Sequence, residues 1–254
     1  MARKIVVTSG KGGVGKTTVC VNLGIALAKK RRVLLVDMDM GLNNLDVAMG
    51  VENKIVFDLV DVVEQKCRPS QALVQDENEP TLYVLPSCHL SRRPVTPDMV
   101  AKVVDKLADS FDYILLDCPA GIDSGFRRAV SCADEAVIVV TPHLSAVRDA
   151  DKTLAQLERS MCYTGVIVNR ARGDLIAEGD MLSPFEVFSL LEGTPLGIVP
   201  ENDELNCAGI IRRNRRPFDI IEKNLVNGSK IMYDCVSRYK GFFGKLKRAA
   251  KRQR

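Results

Sequence analysis

Gly10-Lys11-Gly12-Gly13-Val14-Gly15-Lys16-Thr17-Thr18 is a glycine-rich loop with two lysines, set between an apolar run and a helical pattern. Gly10, Gly15, Lys16 and Thr17 complete the spacing G-x-x-x-x-G-K-[ST]. Glycines at these places let backbone N–H groups close around phosphate oxygens without Cβ interference. Lys16 is placed to reach β- and γ-phosphates, and the Thr17 hydroxyl to ligate Mg²⁺. The flanks support this. Ile5-Val6-Val7-Thr8 reads as a buried strand and Thr17–Lys29 as a helix. Strand, glycine loop and helix together aim a helix N-terminus at an anion. A chance glycine turn would lack that setting, so the stretch is read as a nucleoside triphosphate site.

Working outward, short apolar β-branched runs alternate with helical patterns. The predicted strands are Ile5–Thr8, Val33–Asp37, Leu82–Pro86, Tyr113–Asp117, Glu135–Val140, Gly165–Asn169 and Leu196–Val199. The predicted helices are Thr17–Lys29, Val56–Gln65, Pro97–Ser110, Ser145–Ser160, Pro184–Leu191 and Pro217–Arg238. Nearly continuous apolar strands mark a sheet covered on both faces. The expected fold is therefore α/β: a doubly wound, mostly parallel sheet of the P-loop NTPase kind. Such sheets bind ligands beyond the carboxyl ends of their strands, where loops 9–17, 37–46 and 117–123 fall.

The 254 residues suffice for a large core, and 46% hydrophobic with 27% charged content is ordinary for a globular chain. No run reaches the roughly eighteen apolar residues that a spanning helix needs. A strand starting after four residues leaves no room for a signal peptide, so a cytosolic protein is expected. None of the eight cysteines forms a C-x-x-C pair, which gives zinc and iron–sulfur sites little support. The cysteines are read as mostly small buried hydrophobes, and His89 and His143 as structural or surface residues.

Two further loops carry carboxylates. Asp37-Met38-Asp39 closes the second strand, and two carboxylates at a strand end can face a metal and a water; a polar turn with a helix cap is the plainer reading. Asp117-Cys118-Pro119-Ala120-Gly121 follows another apolar strand. A carboxylate there is the usual Mg²⁺ partner in nucleotide hydrolases, and Pro119 with Gly121 makes the next turn a plausible γ-phosphate sensor.

Together, the segment Lys11 to Thr18, Asp37-x-Asp39 and Asp117-x-Pro119-Ala120-Gly121 resemble the deviant Walker-A ATPases of the MinD/ParA family, over essentially the whole chain. The resemblance implies ATP and Mg²⁺ as ligands. It implies that Lys11 crosses an ATP-sandwiched homodimer to the partner's phosphates, adding positive charge where the transferred phosphoryl builds negative charge. It makes Gly10, Gly12, Gly13, Val14, Gly15, Lys16, Thr17, Thr18 and Gly121 the phosphate cradle, with Lys11, Lys16 and Asp39 catalytic. Thr17, Asp39 and Asp117 serve the metal, and Asp39 positions the attacking water. Asn169 reads adenine and the loop at Pro200-Glu201-Asn202 flanks the base. Turnover is expected to be slow without a partner. Asn43 and Cys118 depart from the family pattern, which leaves regulator contacts at Asn43 unassigned and makes Cys118 oxidation a route to disturbing the site.

Residues 240–254 stand apart as a second element after a 1–239 ATPase domain. They hold seven basic side chains and no acid, leaving the rest of the chain at −3 against a total of +4. At about 100° per residue, Phe242, Phe243, Leu246, Ala249 and Ala250 share one arc, while Lys245, Lys247 and most other bases occupy the rest, with Arg248 among the basic set. The residues alone leave open a helix lying in a membrane interface, a solvated basic tail, or a nucleic-acid arm. The resemblance favours the membrane: an ATP-dependent switch on anionic lipid at the inner membrane, with a MinC-type division inhibitor and a MinE-type activator as partners for septum placement. Two tails on one dimer would gain about 10²–10⁴ in effective grip over one. The competing reading is a ParA-type partition ATPase coating DNA through Arg212-Arg213-x-Arg215-Arg216, against a solvated loop. A metallochaperone or nitrogenase-reductase relative is disfavoured by the missing C-x-x-C.

Overall fold

The computed structural model describes residues 1–40, 44–87, 94–158, 160–203, 205, 210–211, 214–241 and 244. Its strands are β1 (Arg3–Thr8), β2 (Val33–Asp37), β3 (Val74–Gln75), β4 (Leu82–Leu85), β5 (Tyr113–Asp117), β6 (Glu135–Val140), β7 (Tyr163–Ala171) and β8 (Thr194–Pro200). They form one sheet in the order β3-β4-β2-β5-β1-β6-β7-β8. Every pairing is parallel except β3 with β4 at the edge. The doubly wound sheet expected from the sequence is present.

The helices are α1 (Lys16–Ala28), α2 (Asn44–Met49), α3 (Leu59–Val63), α4 (Pro97–Ala108), α5 (Ser124–Ser131), α6 (Leu144–Leu157), α7 (Gly173–Glu178), α8 (Pro184–Leu190) and α9 (Arg216–Asn227). Successive strand residues point to opposite faces, so each strand feeds two cores. Val6, Leu34, Ile114 and Ile138 pack under α4, α5 and α6. Ile5, Leu35, Leu115 and Val137 pack under α1, α2 and α9. This double covering explains why the strands read as unbroken apolar runs.

Capping residues start several helices. Thr96 accepts from the Met99 amide at α4, Asp123 from the Gly125 amide at α5, and Ser183 with Glu186 closes a capping box at α8. α1 differs. Gly15 precedes it at φ +91°, with no side-chain cap and no acid in the first turn. The N–H groups that begin α1 are left to an external anion.

Several boundaries shift from expectation. β1 begins at Arg3 rather than Ile5, and β7 extends to Tyr163 and Ala171. The helix expected over Val56–Gln65 spans only Leu59–Val63, because Asp58 caps it. The helix expected over Pro217–Arg238 stops at Asn227, where Gly228 turns left-handed at φ +67°. Beyond it the chain runs back over α7 as an irregular strap. Asn224 holds that strap: its Nδ2 donates to the Leu196 carbonyl at 2.9 Å and the Ile231 carbonyl at 2.6 Å, and its Oδ1 accepts from the Ile231 amide at 3.3 Å. The amphipathic tail helix expected over 240–254, including Phe242, Phe243, Lys245, Leu246, Lys247 and Arg248, lies outside the described residues apart from Lys240, Gly241 and Gly244.

Asn224→Leu leaves the buried Leu196 carbonyl and the Ile231 carbonyl without their donor. Urea unfolding is expected to record a loss on the order of 2–3 kcal/mol, with faster proteolytic nicking after Gly228. Unchanged stability would remove Asn224 as the strap's anchor.

Candidate nucleotide-binding site

The phosphate loop leaves β1 at the centre of the sheet, between the ends of β5 and β6. Its path depends on two glycines that touch distant backbone or amide groups. A Cβ on Gly10 would lie 2.1 Å from the carbonyl carbon of Asp149 in α6. A Cβ on Gly15 would lie 2.5 Å from the Asn169 amide nitrogen. Within the loop the Ser9 hydroxyl donates to the Lys11 carbonyl at 2.7 Å. The Lys11 side chain is exposed, whereas Lys16 is buried to 9% exposure at the first position of α1.

Beneath the start of α1 the Thr17 hydroxyl donates to Asp117 Oδ2 at 2.6 Å. Asp117 is 3% exposed, and its other oxygen, Oδ1, has no partner among the described residues. Asp37 pairs in register with Asp117 across β2 and β5. Asp37 Oδ1 accepts from the Asp39 amide at 2.8 Å, while Oδ2 is buried without a partner among the described residues. Burial, and for Asp37 the neighbouring Asp117 charge, pushes both carboxyls up to about 7. Asp39 is half-buried and raised by that burial, with the Lys16 charge opposing the shift and Asp123 adding to it. Spacing alone lets either Asp37 or Asp39 face a metal and a water, and the family resemblance assigns that role to Asp39. The structure makes Asp37 a dry strand-end residue that holds the Asp39 backbone, and leaves Asp39 the accessible carboxylate.

These groups fit a divalent cation with phosphates. Two orphaned buried carboxylate oxygens beside a threonine hydroxyl form a hard-oxygen donor set. An uncapped helix N-terminus and the lysines complement the anion. Gly13 at φ +75° has open space around it, as a backbone cradle requires. Cys118, in the turn after β5, is 2% exposed and its thiol is pushed up to about 12 by burial. It is an inert packing residue, which weakens the expected oxidation route.

The side expected to take the base is built by β7 and β8. β7 bulges after Val168, and Arg170 takes φ +58° there. Gly15, Thr18, Asn169, Arg170, Pro200 and Asn202 line a small pocket. Asn169 Nδ2 donates to the Val14 carbonyl at 2.8 Å, which fixes the amide's orientation. Its Oδ1 is then a buried acceptor without a partner among the described residues, suited to an amino donor such as the adenine N6 rather than a carbonyl. A much larger cavity, about 810 Å³, opens at the opposite ends of β7 and β8 around Met161, Tyr163 and Thr194. It lacks the phosphate-loop groups, so its volume carries no weight for nucleotide binding.

Of the other predicted residues, Gly121 lies in the turn after β5 at φ +90°, and Gly12 lies near Ala120 of the same turn. Gly41, Leu42 and Asn43 lie outside the described residues, as do Arg212 and Arg213. Arg215 is engaged by the Ile211 carbonyl at 2.9 Å and by Glu79 at 3.6 Å.

The family model of an AAA domain matches residues 2–162. The septum site-determining protein MinD of Bacillus subtilis (strain 168) is 48% identical over 210 residues, covering 81% of this chain and 78% of that protein. The chain belongs to the MinD family. MinD of Synechocystis sp. is 43% identical over 228 residues, covering 89% and 84% of the two chains. Among solved structures, the MinC:MinD cell division protein complex of Aquifex aeolicus matches at TM-score 0.83 and 39% identity, covering 92% of this chain and 98% of that one. The Pyrococcus horikoshii MinD complexed with Mg-ADP matches at TM-score 0.76 and 27% identity, covering 91% and 100%. This MinD-family chain is accordingly a P-loop ATPase of the cell-division, septum-site-determining class.

Gly10→Ala is expected to abolish nucleotide binding in a fluorescence titration, because its clash is with α6 backbone that no rotamer relieves. A second expectation concerns pH. Unfolded, Asp37 and Asp117 titrate at the ordinary aspartate value of 3.8. Between about pH 4 and pH 7 the folded chain therefore binds more protons than the unfolded chain, so stability falls as pH rises through that window and levels off above it. Asp37→Asn removes one of the two charges. Nucleotide-free Asp37→Asn is expected to exceed wild type by on the order of 2 kcal/mol at pH 8, with no gain near pH 4, in urea titrations. Equal stabilities at pH 8 would contradict the buried-charge assignment.

Proposed function

We propose that this chain is an ATP-hydrolysing membrane switch: a 1–239 ATPase domain that pairs with a second copy when ATP is bound, and a 240–254 tail that then attaches the pair to anionic lipid on the cytoplasmic face of the inner membrane. The observation that carries it is the Thr17–Asp117 hydrogen bond under an uncapped α1, at the mouth of a glycine loop. The Mg-ADP held by the Pyrococcus horikoshii relative supports the ligand, and the Aquifex aeolicus MinC:MinD complex supports a MinC-type inhibitor as partner. A MinE-type activator belongs to the same reading.

Placement supports the residue roles in this reading. The amides of Gly12 to Thr18 and the Lys16 ammonium bind the phosphates. Thr17 and Asp117 would hold Mg²⁺, with Asp39 on its accessible side. Bound there, the cation neutralises charge on the β- and γ-phosphate oxygens. Asp39 orients the attacking water and accepts its hydrogen bond. Asp37 and Asp117 are more basic but buried, and Asp123 caps α5, so Asp39 is the carboxylate left to the water and turnover is slow until a partner improves the geometry. Asn169 and Pro200 orient the adenine. Lys11, exposed at the loop entrance, projects to the partner's phosphates, where its charge stabilises the transition state in trans. Partner coverage also excludes water from an otherwise open face.

The tail's apolar arc and its bases give one copy a weak, reversible hold on lipid. Pairing joins two such holds, and hydrolysis releases them. The DNA reading gains nothing from Arg215, whose guanidinium is already occupied.

Co-sedimentation with anionic vesicles is the test. Wild type is expected to pellet with Mg·ATP and stay in solution with Mg·ADP. Lys11→Ala should bind ATP yet remain monomeric by light scattering and stay off the vesicles. Deleting residues 240–254 should abolish pelleting with ATP-driven pairing intact. Equal pelleting in both nucleotides defeats the switch, and salt-sensitive DNA binding that survives the deletion favours the partition-type function instead.

A further inference from the structure

Asn22 is a polar side chain, 4% exposed, in a helix whose other buried positions from Val19 to Ala28 are apolar or glycine. Such a group needs partners, and where they lie indicates what it organises. Its Nδ2 donates to the Thr18 carbonyl at 2.7 Å, one turn earlier in α1. That bond fixes the amide's orientation and turns Oδ1 outward from the helix. Oδ1 accepts from the buried Ile211 amide at 2.9 Å.

Both partners belong to the surroundings of the base pocket. Thr18 lines it directly, together with Pro200, Asn202 and Leu205. The chain leaving β8 is held at its near end by the Glu201 amide, which donates to the Ala171 carbonyl at 3.1 Å, and Leu205 donates back to Asn202 at 3.1 Å. Farther on, Ile211 is 1% exposed in the α1-side core, and its carbonyl accepts from Arg215 Nε at 2.9 Å. The bond from Ile211 to Asn22 therefore anchors the chain beyond Leu205 to the helix that begins at the phosphates.

We propose that Asn22 is a positioning residue for nucleotide recognition. It sets the spacing between the phosphate-binding end of α1 and the wall formed by Pro200, Asn202 and Leu205, so that the buried Asn169 acceptor meets an adenine amino group and not a guanine carbonyl. The inference rests on the nucleotide reading above and goes beyond it by placing base selectivity on a residue that does not line the pocket. A purely structural asparagine would change the melting temperature and leave selectivity untouched.

The test compares wild type, Asn22→Leu and Asn22→Asp, using fluorescent ATP and GTP analogues labelled on the ribose, with Mg·tripolyphosphate as a probe that lacks a base. Asn22→Leu is expected to weaken ATP binding about tenfold and to lower the ATP-to-GTP ratio correspondingly, with tripolyphosphate affinity unchanged. Asn22→Asp keeps an acceptor for the Ile211 amide and should recover most of the ATP affinity. In wild type, hydrogen exchange at the Ile211 amide should slow more with ATP than with tripolyphosphate. Wild-type affinity and selectivity in Asn22→Leu would overturn the proposal, as would a parallel loss of tripolyphosphate binding or equal protection of Ile211 by both probes. If wild type binds tripolyphosphate and GTP as well as ATP, base reading itself fails. If it binds none of the three, the nucleotide function fails first.

Discussion

Two carboxylates lie side by side and dry at the ends of β2 and β5, and the site is organised around that unfavourable arrangement. Asp37 and Asp117 share a register position, each with one oxygen lacking a partner among the described residues. A fold selected only for stability would replace such a pair with apolar or neutral groups. What offsets them within the chain is modest: the Thr17 hydroxyl and the Asp39 and Leu45 amides, with the Lys16 charge acting on Asp117. Above about pH 7, where both would ionise, the missing positive charge is left for a bound cation to supply. Ligand binding thus restores an electrostatic balance that folding leaves incomplete, which is how a binding site stores free energy.

The glycine contacts make the same point through sterics. Gly10 presses against α6 backbone and Gly15 against Asn169, so the loop between them is gripped from two sides of the sheet. The grip makes the cradle rigid before any phosphate arrives, which lowers the ordering cost of binding. It also joins the loop to elements far away in sequence. α6 follows β6, and Asn169 ends the regular part of β7. A displacement of either element has to move the phosphate cradle.

Much of this was legible in the sequence. The phosphate loop could be read because its chemistry is local: glycine freedom, one lysine and one hydroxyl at fixed spacing. The central strands could be read because burial on both faces makes them apolar throughout, and β2, β5 and β6 fall where their patterns end. What escaped had non-local causes. The termination of α9 at Asn227 depends on Gly228 together with an Asn224 side chain bonded to Leu196 on another element. The choice of Asp39 over Asp37 came from the resemblance, and its physical cause, the greater depth of Asp37 at the strand end, is not encoded in spacing. Asn22 looked like an unremarkable position in an apolar helix because its partner, Ile211, lies 189 residues away. Among the described strands and α-helices named above, the small edge strand β3 and the short helices α2, α5 and α7 were missed outright, each too brief for periodicity to register.

Charge distribution decides how the two parts of the chain would divide their work. The body carries −3 and the last fifteen residues carry +7. On an anionic surface the body is therefore repelled at long range and the tail attracted, within a screening length of about 8 Å at physiological salt. Attachment then depends on how many tails act together, because the body adds no attraction of its own. A protein with a basic body would adhere whatever its nucleotide state and could not be released by hydrolysis. In the proposed switch, a negative body would hold the single copy off the membrane and leave attachment to pairing.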